Sequence, residues 1–164
     1  MMRRALLILA CSLAVLSTRA QNVAKYSPDT ILQLIGILER DPISERGIAA
    51  RAVIVEFAEK SDTVLVEVSE RAMPWILDKR VPEQARAVLT AAYVAGNVKS
   101  QLERKVNAND SLAGWKQVFN AYEALRKHSP GIRVPGVEEL LEEEKSGKLP
   151  ARASELDGQG KVRV

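Results

Sequence analysis

The chain has 164 residues, 24 Lys and Arg against 21 Asp and Glu, a formal net charge of +3, one Cys and one His. That length suits one ordinary domain rather than two independent cores, and 46% apolar with 27% charged residues excludes a disordered chain. The excess charge is local: Arg3, Arg4 and Arg19 account for it, and the 21 basic side chains beyond residue 20 equal the 21 acidic ones.

Residues 1–20 combine two early arginines, an apolar run from Ala5 to Leu16 and the ending Ser17-Thr18-Arg19-Ala20. This pattern predicts a cleaved secretory signal peptide, cut before Gln21, and so a periplasmic or secreted protein. The run is short of the roughly 20 apolar residues that a bilayer span needs. Ile8-Leu9-Ala10-Cys11 resembles the lipobox of bacterial lipoproteins, which would make Cys11 a lipidation site. The apolar run continues past it through Leu13, Val15 and Leu16, which favours ordinary cleavage. Arg3-Arg4 also suggests twin-arginine export, but the flanking residues match general secretion better. With Cys11 inside the signal, the exported chain has no thiol. Disulfides, a thiol nucleophile and cysteine-ligated metal are then excluded by composition.

The first predicted helix opens at Ser27-Pro28-Asp29, with Ser as cap and Pro at the first helical position, and carries Ile31, Leu32, Leu34, Ile35 and Leu38 up to Arg40. Asp41-Pro42 repeats the signal and is expected to start a second helix, ending near Lys60. Ile43, Gly47, Ala50, Ile54, Phe57 and Ala58 share one face of it. Ile48, Ala52 and Val55 form a second apolar strip, which predicts a helix sandwiched between neighbours. The β-branched run Thr63–Val68 has no visible partner strand and reads as an extended connection or frayed helix. Ser69 is expected to cap a short helix through Trp75, Ile76 and Leu77.

Pro82 starts the longest helix, to about Lys105, with Ala85, Val88, Leu89, Ala92, Ala95, Gly96 and Leu102 on its buried side. Asn109 or Asp110 caps a helix carrying Trp115, Val118, Phe119, Tyr122 and Leu125, which stops at Ser129-Pro130-Gly131. Pro135 starts a last, acidic helix that Gly147 terminates. Beyond Pro150 the chain is polar without apolar period, which predicts a disordered tail over 150–164.

Ile37-Leu38-Glu39-Arg40 is echoed by Ile76-Leu77-Asp78-Lys79, and Pro42 with Arg46 by Pro82 with Arg86. Over residues 28–105 this pattern resembles the HEAT-type helical repeat, in which an Asp-Pro turn precedes a second helix bearing an Arg near its start. The second unit has Val81 where the first has Asp41. Tyr122, Leu125 and Pro130 also fall at the spacing of a tetratricopeptide second helix, without a first helix before them. The fold class is all-α over residues 21–149. What the resemblance implies is stacked antiparallel helix pairs, α-solenoid-like; an irregular bundle of five to six helices is the alternative.

His128 is the single histidine, which excludes a two-histidine metal site. At the end of a helix it suits the macrodipole better than a Ser-His-Asp triad. Glu138, Glu139, Glu142, Glu143 and Glu144 lack the Asp-rich loop of a calcium hand and read as a solvated acidic face. Glu56 and Glu59, three apart, are a formal carboxylate pair for a hydrolase. Asn109-Asp110-Ser111 is a glycosylation sequon, meaningful in a eukaryotic source.

A polar stripe on the long helix stands out: Glu83, Arg86, Thr90, Asn97, Gln101 and Arg104, with Tyr93 at its margin. Arg46 holds the matching place on the earlier helix. If helix pairs stack, Arg46, Arg86, Thr90, Tyr93, Asn97, Gln101 and Arg104 would line a surface that binds a protein or peptide through Arg–carboxylate pairs and amide hydrogen bonds. Charge neutrality, few aromatics and export argue against nucleic acid. The sequence therefore predicts an exported binding or scaffold module without cofactor or metal. A small helical carboxylate-dependent hydrolase or other envelope enzyme is the alternative.

Overall fold

The computed structural model describes residues 26–159 as six helices joined by turns and one extended segment, with no strand among these residues. The expected signal peptide, its cleavage point, Cys11 and residues 160–164 lie outside this range. Helix α1 (Pro28–Arg40) begins as its sequence dictates. Ser27 accepts a hydrogen bond from the Thr30 N–H at 3.2 Å, and Pro28 occupies the first turn, where it has no N–H to lose. Ile31, Ile35 and Leu38 form its buried stripe.

Helix α2 (Glu45–Lys60) starts three residues later than Asp41-Pro42 suggests. Ser44 takes the cap position, accepting from the Gly47 N–H at 3.0 Å and donating to the Asp41 carbonyl at 3.0 Å. Asp41-Pro42 is thereby left in a turn folded against the helix, so close to Gly47 that a β-carbon there would collide with the Asp41 carbonyl oxygen. Gly47, Ala50, Ile54 and Phe57 are buried as their spacing requires. The second strip is not: Ile48 is 41% exposed and Ala52 lies at the surface, so α2 is covered on one side only.

The run 61–68 is an extended connection. Its backbone is bonded where a neighbouring strand would otherwise stand, by side-chain amides: Gln101 accepts from the Leu65 N–H at 2.8 Å and donates to the Leu65 carbonyl at 2.7 Å, and Asn109 accepts from the Glu67 N–H at 2.7 Å. Two amides thus satisfy a β-branched segment that has no sheet to join. The short helix expected from Ser69 is absent. Only one turn forms, closed by Met73 N–H to the Ser69 carbonyl at 2.9 Å, before Pro74 and a succession of turns lead to Val81. Pro74 cannot donate to the preceding turn, and Met73 and Trp75 are drawn fully into the core. The second unit of the apparent repeat accordingly has one helix where the first has two.

Helix α3 (Glu83–Arg104) is central and is buried continuously from Ala91 to Val98. It ends at Lys105 in the left-handed conformation, φ 56°. Helix α4 (Ser111–His128) is capped by Asp110, which accepts from the Ala113 N–H at 3.0 Å. Helix α5 (Pro135–Lys145) begins on Pro135 and is followed by Gly147 at φ 71°. The tail expected from residue 150 is instead helix α6 (Leu149–Gln159), which docks Leu149, Ala153 and Leu156 into the core at 3% exposure or less. One apolar cluster joins α3 to α6 with the 72–81 turns, and a second joins α1, α2 and α3. Val66 packs against both.

Candidate functional site

The structure divides the seven stripe residues among three environments. Tyr93, Asn97 and Gln101 are interior, at 0%, 0% and 1% exposure, which corrects the expectation that they face a ligand. Gln101 holds the extended segment. Asn97 accepts from the Asp110 N–H at 2.7 Å, and the Tyr93 hydroxyl lies 3.1 Å from Ser111 Oγ. Burial raises the Tyr93 hydroxyl's pKa above its ordinary value, keeping it protonated as a hydrogen-bonding group. Arg104 is exposed but committed to Asp110 at 2.9 Å. Arg46 lies exposed in the first turn of α2, away from the rest. Arg86 and Thr90, one turn apart on α3, line a common groove.

The buried members belong to a polar knot at the start of α4. Asp157 of α6 accepts from Asn109 Nδ2 at 2.6 Å, Ser111 Oγ at 2.7 Å and the Ser111 N–H at 3.2 Å. Asp110 also accepts from Ser100 Oγ at 2.5 Å. These bonds draw α3, α4, α6 and the extended segment together, and nearly every polar atom is matched. The knot is architecture. Within it the Asn109 amide nitrogen of the Asn109-Asp110-Ser111 sequon donates to Asp157 and to Ser111 Oγ.

The carboxylate clusters resolve similarly. Arg152 of α6 spans Glu139 at 3.1 Å and Glu143 at 2.7 Å, Lys145 holds Glu142 at 2.6 Å, and Glu138 accepts from the Tyr122 hydroxyl at 2.9 Å and from Arg133 at 3.1 Å. Among the described residues no group of three His, Cys, Asp or Glu side chains is arranged to hold a metal ion. His128 is exposed in the last turn of α4, beside Arg126 and Lys127.

Several open spaces occur among the described residues: one of about 700 Å³ lies beside Arg104, Asn109 and Asp157, and another is a groove of about 490 Å³ between α2 and α3, lined mainly by apolar atoms. Its floor includes Ala52, Val55, Ala87 and Ala91 with Ile76 from the turn region, and its margins carry Arg51, Glu56, Glu59, Glu83, Arg86 and Thr90. The uncovered second strip of α2 is one wall. The two chemical ideas drawn from sequence thus meet here, the Arg86–Thr90 stripe and the Glu56–Glu59 pair. Glu56 is ion-paired to Lys60 at 2.7 Å, and Glu59 is exposed. Neither carboxylate has the desolvated setting that general-acid chemistry needs. Thr90 accepts from Trp75 Nε1 at 3.2 Å, so its hydroxyl helps fix the groove floor to the core.

Arg51 is the residue that the sequence reading missed. Its Nη1 is buried and has no hydrogen-bond acceptor among the described residues, which for a charged donor costs at least about 1–3 kcal/mol. The available signal was its position: Arg51 interrupts the apolar strip Ile48–Ala52–Val55 at helical spacing. The Arg86 guanidinium likewise forms no hydrogen bond among the described residues, although the Arg86 backbone N–H donates to the Pro82 carbonyl at 3.0 Å. The nearby acid, Asp78, is taken by Arg80, whose Nε and Nη2 donate to it at 2.9 and 2.8 Å. Those side-chain bonds, then the Arg80 backbone N–H, hold the Asp78 carboxyl down from 3.8 to about 2; Arg86 adds only its more distant charge. The stabilisation from this pair is therefore present above the ordinary carboxylate range and fades as pH falls from about 4 towards 2. NMR titration of Asp78 is expected to give a midpoint near 2, and Arg80→Ala to return it most of the way to 3.8. A midpoint unmoved by that substitution would show that Asp78 is paired elsewhere, Arg86 being the nearest alternative.

No protein-family model matches the chain, and no curated protein or solved structure matches it either. Fold and groove together define an all-α protein with an open, mainly apolar cleft between α2 and α3.

Proposed function

We propose that this chain is an exported helical binding or scaffold module, and that its α2–α3 groove receives an amphipathic segment of a protein or peptide partner. The observation that carries this reading is the apolar wall that α2 leaves uncovered. Ile48 is 41% exposed, Ala52 lies at the surface, and the strip continues into the groove through Val55 and across to Ala87 and Ala91. Contiguous exposed apolar surface rimmed by charge is characteristic of protein contact sites. Periplasmic or secreted placement follows from the signal-like residues 1–20. Among the described residues no helix is long and apolar enough to cross a membrane. In this reading the HEAT-like resemblance is kept for residues 28–105 as a proposal of stacked helices, and the partner lies in the groove between α2 and α3.

Ala52→Glu tests the site. Ala52 is exposed, so the substitution is expected to leave stability within about 0.5 kcal/mol of wild type. Partners captured from envelope extract by immobilised protein are identified by mass spectrometry, purified, and titrated against both forms. Loss of most of the affinity in the variant supports the groove; equal binding by the two proteins removes it.

A further inference from the structure

Four polar side chains are buried among the described residues: Asn97, Gln101, Ser111 and Gln117, the last at 6% exposure. Three of them serve the fold. Asn97 accepts from the Asp110 N–H, Ser111 donates to Asp157, and Gln101 clamps the Leu65 backbone. Gln117 has no hydrogen-bond partner among the described residues, although its amide offers two donors and an acceptor. A buried amide without partners is costly, so its surroundings matter. At Gly96, α3 and α4 approach so closely that a β-carbon there would stand 2.9 Å from Gln117 Cβ, which sets the base of this side chain against α3. Unlike Arg51 Nη1 and Asn97 Nδ2, the Gln117 amide is not sealed: it borders an open groove of about 330 Å³ on the α3–α4 face. This groove shares no lining residue with the α2–α3 groove. Three cations line it against two carboxylates. Lys99 is held by Glu39, with Glu103 one turn away on α3, and Arg104 is held by Asp110. Lys116 is left exposed and without an ion pair among the described residues.

We propose that this α3–α4 groove binds an extended peptide segment of a protein partner by its backbone, one peptide residue donating its N–H to Gln117 Oε1 and accepting at its C=O from Gln117 Nε2. A side-chain amide matches a peptide residue in this way because each presents one donor and one acceptor side by side. Gln101 makes the same arrangement inside the chain, at 2.8 and 2.7 Å, and there it holds an extended segment that has no sheet to join. Gln117 is the second such amide, on the adjoining helix, with its place open to the outside. Backbone capture tolerates many peptide sequences, and neighbouring side chains then supply the preference. Here the neighbour is Lys116, which favours an Asp or Glu close to the clamped residue. The site is separate from the α2–α3 groove and stands without it.

The test selects a random 12-residue peptide library, displayed without a free C-terminus, on the full chain and titrates the enriched peptides against Gln117→Met, Lys116→Gln and Ala52→Glu. Gln117→Met keeps the length of the side chain and removes its amide. It is expected to weaken binding about 10- to 100-fold while the thermal midpoint holds or rises, because an unpaired buried polar group has been replaced by an apolar one. An ester in place of one peptide amide removes a single N–H. At one position it is expected to weaken binding to the wild type about 10-fold, and to add little on Gln117→Met, the signature of a direct contact. Lys116→Gln is expected to cost about 3-fold, in the range of an exposed ion pair, and Ala52→Glu nothing. Equal binding by Gln117→Met, or tolerance of an ester at every position, would overturn the backbone clamp. A lowered midpoint accompanying the loss of binding would make Gln117 a structural residue and overturn it as well. Peptides lost on Ala52→Glu but kept on Gln117→Met would overturn it while supporting the α2–α3 groove. No enrichment at all would assign the Gln117 amide to water and overturn it too.

Discussion

Alanine at Gly96 is expected to lower the thermal midpoint by about 10 °C, although on helix propensity alone it should stabilise. Gly96 lies in the buried stretch of α3, against α4. A β-carbon built on it would collide with the Ala113 carbonyl oxygen and approach the Ala113 carbonyl carbon and Gln117 Cβ to 2.9 Å. The first two are backbone atoms of a helix and cannot swing aside, so the two helices must separate. Overpacking of this kind costs about 1–3 kcal/mol and sometimes more, against a propensity gain of about 1 kcal/mol for Gly to Ala. Separation of the helices would in addition loosen the contacts of Trp115 and Tyr93, both fully buried. Because the collision is with helix backbone and these contacts loosen as well, the cost is expected above that range, at about 4 kcal/mol; after the propensity gain a net loss of about 3 kcal/mol corresponds to about 10 °C for a domain of this size. Gly36 in α1 provides the control, since its β-carbon would meet only Arg40 Nη1 at 3.5 Å. Gly36→Ala is expected to raise stability by about 0.5–1 kcal/mol. Opposite signs for two glycine-to-alanine changes, read by chemical denaturation, would identify close helix approach as the reason for Gly96. Equal signs would refute that assignment.

The small residues of α3 made this close packing legible in the sequence, as did the caps. Ser27, Asp110, Pro135 and Gly147 fall where the helix termini are found, because a cap is a local bargain between one side chain and one or two backbone groups. Features decided by distant partners were not legible. The run 69–77 has helical residues around Pro74, yet Trp115 Nε1 donates to the Ala72 carbonyl at 2.7 Å and pulls that segment inward as turns. Asn97 and Gln101 read as wet polar positions on an amphipathic helix. They are buried because a β-branched extended connection without a sheet and the start of α4 need their amides. Arg51 was missed for the converse reason: a cation in an Ala-rich helix looks solvated, yet one of its nitrogens is buried in the fold. The groove itself arises from a half-correct inference, since α2 does have two apolar strips and only one is covered.

Helix α6 is the element that local pattern hid most completely, and Asp157→Ala is expected to show how it is held. Leu149, Ala153 and Leu156 are the buried residues of α6, too few apolar positions to announce a helix against Gly158 and the polar residues between them. Polar tethers supplement them. Asp157 receives Asn109 Nδ2, Ser111 Oγ and the Ser111 N–H, and Arg152 lies over the Trp115 ring at 5.6 Å while bridging Glu139 and Glu143. Removing the Asp157 carboxylate leaves the Ser111 donors, in a residue with 0% exposure, without their acceptor, and strips a negative charge from the N-terminus of α4. Hydrogen bonds to an ionised acceptor are each worth about 1.5–3 kcal/mol when broken one-sidedly, and the two Ser111 bonds share one group, so a total near 3 kcal/mol is expected. Asp157→Asn retains one amide oxygen as acceptor and should lose about half as much. Hydrogen exchange would locate the damage: amides of α6 and of the first turn of α4 are expected to lose protection, while those of α1 and α2, in the other apolar cluster, keep theirs. Loss of protection spread evenly over all six helices would mean that Asp157 supports the global fold rather than clamping α6. An unchanged midpoint would mean that Leu149 and Leu156 hold the helix alone.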